Sequence, residues 1–100
     1  MAELAQYVER LPQYYEQAQA EYKSTTDRPL RPSTYRSGLA RIRDQLYFIL
    51  AHSAGILAAF RIQEDGSLRR LERYPGTLRR ALLWHVAPRR RQDHAPGKPE

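Results

Sequence analysis

Leu4, Val8, Leu11, Tyr15, Ala18 and Tyr22 recur at alternating spacings of four and three, the interval that lines one face of a helix. Glu3, Glu9, Glu16 and Glu21 fall off that stripe. Pro12 lies inside it and removes one backbone donor, so the pattern predicts a kink or an abutting pair of helices in one register. Ser24 to Pro32 reads as a connector, because Pro29 and Pro32 bias the chain to extended geometry. Ser33 then offers a capping hydroxyl, and Tyr35, Leu39, Ile42, Leu46 and Ile49 repeat the stripe, with Leu50 widening it. This predicts a second helix to about His52, stopped at Gly55 with Ile56 behind it. Two matching stripes around a short connector predict an antiparallel two-helix hairpin.

From Ile56 the period changes to two, with Ile56, Ala58, Phe60 and Ile62 on one face. Asp65-Gly66 is a strong two-residue turn signal, so Ser67 to Tyr74 reads as the return strand of a β-hairpin. In that register Phe60 faces Leu71, and Arg61 faces Arg70 as an unfavourable like-charge pair. A lone hairpin is marginal in water and must lean on the helices or on another chain. Pro75-Gly76 closes the strand, Thr77 can cap a short third helix carrying Leu78, Ala81 and Leu82, and Pro88 ends it. Arg89-Arg90-Arg91 and Pro96 to Pro99 read as a disordered basic tail. The expected fold class is therefore α+β: a single small domain over residues 1–87 and an Arg/Pro-rich tail over 88–100.

Composition narrows the chemistry. The 100 residues contain no cysteine, which excludes disulfides, thiolate zinc sites and cysteine nucleophiles and fits a reducing, cytoplasmic setting. Apolar residues at 41% and charged residues at 28% argue against wholesale disorder. Met1-Ala2-Glu3 lacks a basic region followed by an apolar run, so no signal peptide is expected. The longest uncharged stretch, Gln45 to Phe60, is short of the roughly 20 apolar residues of a membrane-spanning helix. The net charge of +6 is uneven. Residues 1–27 hold five acids against Arg10 and Lys23, while residues 28–100 hold 15 bases against six acids, giving −3 and +9.

Histidines do not pair at metal-ligand spacing: His52, His85 and His94 are far apart, so neither a metal nor a cofactor is expected. His52-Ser53 adjacency makes no nucleophile without an orienting acid. The five glycines are isolated, and Gly38 lacks a turn or cap explanation; it marks either a close approach of another helix or a chance substitution. Arg36 and Arg43, one heptad apart on the expected second helix, could face Glu9 and Glu16 within the chain or across a dimer.

Two signals carry functional readings. Tyr7, Tyr14, Tyr15 and Tyr22 broaden the apolar band of the first helix, which suits a docking face for a protein partner or, equally, a satellite core under the connector. Arg69, Arg70, Arg73, Arg79, Arg80, Arg89, Arg90 and Arg91 could form one anion- or nucleic-acid-binding surface, or only a solvated edge. The leading expectation is a small non-enzymatic binding or accessory protein that docks onto a protein partner, with a homodimer as its self-association form. The alternative is a nucleic-acid-binding protein using the arginines and the tail. A small basic ribonuclease with His85 as general base comes third, because no acid partner is evident.

Overall fold

A computed structural model describes residues 4–53 and 55–87. The tail over 88–100, with Arg89, Arg90, Arg91 and His94, lies outside the described residues, as does the side chain of Arg79. Helices α1 (Leu4–Glu9) and α2 (Leu11–Thr25) precede five strands: β1 (Gly38–Ile42), β2 (Gln45–His52), β3 (Gly55–Ile62), β4 (Leu68–Leu71) and β5 (Leu82–His85). The strands form one antiparallel sheet in the order β4-β3-β2-β1-β5, and a single 3₁₀ turn (Leu78–Ala81) precedes β5.

The first helical segment divides at Arg10, just before Pro12, so the stripe belongs to two abutting helices. Leu11, Tyr14, Ala18 and Tyr22 are the buried positions of α2, while Tyr15 sits half-buried at the rim. They pack on Leu39, Phe48, Leu50, Ala58, Phe60 and Ile62. Tyr14 and Phe48 meet with ring centroids 6.1 Å apart and planes tilted by 52°, a favoured aromatic geometry.

The two-helix hairpin is absent, and β1 and β2 occupy the span of the expected second helix. Leu46 to Ala51 is an unbroken apolar run whose alternate residues face opposite clusters: Phe48 and Leu50 lie under α2, and Ile49 and Ala51 lie on the far face. A strand covered on both faces loses its period-two signature, so chance helical spacing dominates. The Ser33 cap forms nonetheless. Its hydroxyl accepts the Tyr35 N–H (3.2 Å) and its carbonyl accepts those of Arg36 (3.2 Å) and Ser37 (2.9 Å). Only one helical turn follows, because Ser37 is drawn into the sheet.

Ser37 is fully buried. Its hydroxyl accepts the Ala51 N–H at 2.9 Å and donates to the Ala51 carbonyl at 3.3 Å, and its own carbonyl accepts the Val86 N–H at 2.9 Å. One side chain thus extends the β1–β2 ladder while its backbone holds β5. Ser37→Ala strands a buried amide and should lower unfolding free energy by about 1–3 kcal/mol in denaturant titration.

The β3–β4 hairpin forms as expected but in a register shifted by one: Ala59 pairs with Leu71, Phe60 with Arg70 and Arg61 with Arg69. The cause is a three-residue loop. Gly66 N–H donates to the Gln63 carbonyl (2.8 Å), Gln63 N–H to the Ser67 carbonyl (2.9 Å), and Gly66 adopts φ 88°. A bulge between Leu50 and Ala51 pairs Leu50 with Ala58 and Ala51 with Ile56, which moves Ile56 off the face of Ala58, Phe60 and Ile62. The expected third helix is one 3₁₀ turn followed by β5, since pairing along the free edge of β1 overrides local helical preference.

Leu78, fully buried, anchors the segment that crosses from β4 to β5 over the far face of the sheet. It packs there with Ala40, Ile49, Ala51 and Ala59. That crossover leaves the row Tyr47–Arg61–Arg69 uncovered enough that both arginines are exposed. Among the described residues no helix is long and apolar enough to cross a membrane.

Candidate functional site

The four tyrosines singled out in the first helix serve the interior and the connector. Tyr14 and Tyr22 are only 2% and 5% exposed, and Tyr7 and Tyr15 are half-buried against the same core. Tyr15 donates its hydroxyl to the Pro32 carbonyl (3.2 Å), and Tyr22 accepts the Leu30 N–H (3.0 Å). These two bonds tie the connector across α2. Tyr14 and Tyr22 thus belong to the main core between α2 and the sheet, and Tyr7 and Tyr15 pack at its rim.

Among the described residues the Tyr14 hydroxyl is buried without a hydrogen-bond partner. Burial pushes its pKa above the ordinary 10.0, and the Arg10 guanidinium pulls in the opposite direction. Tyr14→Phe should therefore be neutral or stabilising, by about 1 kcal/mol in chemical denaturation. A loss of stability would show that the hydroxyl is bonded in solution.

The arginines divide among three places. Arg70 lies on the helix side of β4 opposite Phe60, where its guanidinium donates to the Thr25 hydroxyl at the end of α2. It fastens β4 to a helix C-terminus, an end that favours a cation. Arg69 is exposed on the far face opposite Arg61, and Arg61 itself stands opposite Tyr47. Arg73 follows β4 and Arg80 lies in the 3₁₀ turn, both exposed, with the backbone of Arg79 beside Arg80. Arg61 is the member that the sequence set lacked, and only the true loop length brings it opposite Arg69. Arg36 and Arg43 no longer share a helical face: Arg36 lies in the turn after Ser33, and Arg43 sits in the β1–β2 turn at φ 57°.

An open cleft of about 560 Å³ lies where the β1–β2 and β3–β4 turns approach α1, lined by Tyr7, Asp44, Gln45, Arg61, Glu64 and Asp65 among others. Its charges are mixed. The Asp65 carboxylate accepts both the hydroxyl and the N–H of Ser67 (2.7 and 3.0 Å), which holds its pKa below the ordinary 3.8. That group shapes the hairpin turn rather than waiting for a ligand. His52 Nδ1 lies 3.1 Å from the Arg31 carbonyl, and His85 is half-buried on β5 opposite Gly38. Among the described residues no three His, Cys, Asp or Glu side chains converge as metal ligands would.

The two sheet edges differ sharply in chemistry. On β4 and just beyond it stand Arg69, Arg70, Glu72 and Arg73, charges of the kind that keep an edge from pairing with another chain. On β5, Leu82-Leu83-Trp84-His85 holds no Asp, Glu, Lys or Arg, and Leu83 and Trp84 are 47% and 42% exposed. Helix α2 packs mainly over β1 to β4, leaving Trp84 beside Leu39 without a helical roof. Ala87 N–H donates to the Thr34 carbonyl (3.0 Å), which brings the turn bearing Tyr35, itself 47% exposed, to the same edge. Compared with protein-family models, curated proteins and solved structures, the chain matches none.

Proposed function

We propose that this chain is a small non-enzymatic assembly protein, and that the partner it docks onto is a second copy of itself seated on the β5 edge. The observation that supports this reading is the β5 edge, free of Asp, Glu, Lys and Arg, with Leu83, Trp84 and Tyr35 exposed beside it. Apolar side chains gathered at an unpaired strand favour a protein contact over water. A second copy suits the edge because a two-fold contact brings the same apolar edge of both copies together. Strand β5 itself holds no Asp, Glu, Lys or Arg, whereas a two-fold contact centred on β4 would set Arg69 and Arg70 against the arginines of the second copy. The bulge that pairs Leu39 with Trp84 and Ala40 with Leu82 leaves Leu83 out of the ladder, so side-chain packing carries the contact more than strand extension does. A cytoplasmic setting belongs to the same proposal and rests on the cysteine-free sequence.

A patch of three large side chains is smaller than a standard interface, so a dissociation constant on the order of micromolar is expected. Sedimentation equilibrium from about 10 to 500 µM should pass from monomer to dimer across that range. Trp84→Lys and Leu83→Lys should each shift the transition at least tenfold upward while the far-ultraviolet circular dichroism stays unchanged. A monomer at every concentration would sink the proposal, and so would a dimer indifferent to both substitutions.

A further inference from the structure

We infer that the row Tyr47–Arg61–Arg69 binds the phosphodiester backbone of a single-stranded nucleic acid, an interaction independent of the β5 edge. The three residues are direct neighbours across β2, β3 and β4, so they share one face of the sheet. It is the face opposite α2, because Tyr47 packs with Ile49, Ala59 and Leu78 while Phe48 and Phe60 lie under the helix. Arg61 and Arg69 are both exposed, and their Cβ atoms as cross-strand partners stand about 5 Å apart. Two guanidinium groups at that separation can close on one phosphate from both sides, each as a forked donor.

Like charges directly opposite each other in a sheet are unfavourable, and this pair stands open to solvent. A shared anion would turn that repulsion into attraction. Tyr47 at the end of the row presents a half-buried ring, on which a base adjoining the bound phosphate can stack. Arg73 and Arg80, before and within the 3₁₀ turn that packs on this face, add positive charge, with Glu72 as the acid on the same crossover. Asp44, Glu64 and Asp65, in the turns at the cleft that Arg61 also lines, repel a backbone and confine it to the row. An aromatic-bearing sheet surface suits an unpaired strand, whose bases can splay onto it.

The test uses the full chain and fluorescein-labelled oligomers of about 20 nucleotides, poly(dT) and poly(U), with a random duplex as comparison, across about 50 to 200 mM salt. Single strands should bind at low salt, and Arg61→Gln/Arg69→Gln should weaken that binding at least tenfold. The slope of log K against log salt should fall by about 0.7, the loss of the one phosphate that the two guanidinium groups share on a single strand. The same double variant should melt at or above the wild-type temperature, because the opposed charges are gone, so unfolding cannot mimic the effect. Tyr47→Leu, which keeps an apolar body against the far-face cluster, should weaken single-strand binding several-fold and leave duplex binding alone. Neutralising Arg89, Arg90 and Arg91 controls for the tail. No retention at about 50 mM salt overturns the inference, as does binding that vanishes with the tail arginines yet ignores Arg61 and Arg69. Equal affinity for the duplex, untouched by Tyr47→Leu, would overturn the single-strand specificity.

Discussion

Gly38→Ala is expected to lower the unfolding free energy by about 3 kcal/mol and to release β5 from the sheet. A Cβ at residue 38 would overlap the carbonyl oxygen of Trp84 and come within 2.8 Å of the His85 Cα. Both obstacles are backbone atoms, so no rotamer change relieves them, and one strand must move. The ladder that moves is β1–β5, already irregular between Leu39 and Ala40, because β1 is also bound to β2 through five consecutive register pairs. Amide exchange should therefore accelerate first at Val86 and Ala87, whose N–H groups donate to the Ser37 and Thr34 carbonyls. Gly76→Ala is the control: nothing lies within 4 Å of the added carbon, and its cost should stay within about 0.5 kcal/mol. Equal stabilities for the two variants would contradict the close approach of β5. If β5 carries the self-contact, Gly38→Ala also removes the dimer, though no residue of the exposed patch has changed.

The sequence marks Gly38 as anomalous but assigns the close approach to a helix, and the reason is instructive. Helical spacing across Tyr35, Leu39, Ile42, Leu46 and Ile49 is real, yet it is a by-product of a strand pair buried on both faces. Helix α2 was legible from its stripe, and the β3–β4 hairpin from the Asp-Gly turn that marks it, although β3 too is covered on both faces. The doubly covered strands β1 and β2 were not, nor was β5, whose four residues take their conformation from the edge of β1. The candidate site followed the same division. Tyrosine enrichment was visible, but whether it faced a partner or the connector depended on where Pro32 and Leu30 lay. The arginine surface was visible as a cluster, but its membership turned on one residue of loop length, which put Arg69 rather than Arg70 opposite Arg61.

Leu78→Ala should cost about 3–5 kcal/mol, the upper part of the range for a buried leucine. Leu78 is fully buried, and three of its four fully packed neighbours, Ala40, Ala51 and Ala59, are alanines on a hydrogen-bonded sheet. Their Cβ atoms cannot advance to fill the space, so the cavity remains and its full penalty applies. The consequence extends beyond the residue itself, because Leu78 pins the crossover between β4 and β5 to the far face. With that pin gone, Ile49 and Ala59 lose their cover and dye binding to exposed apolar surface should rise before global unfolding. Leu78→Met keeps the volume and should lose less than about 1.5 kcal/mol. The ordering Met far above Ala in denaturant midpoint, with similar slopes, is the result that supports a packed anchor. Equal midpoints for Met and Ala would mean that the crossover is held by its backbone bonds, Leu78 N–H to the Pro75 carbonyl and Arg80 N–H to the Thr77 carbonyl, and not by the leucine.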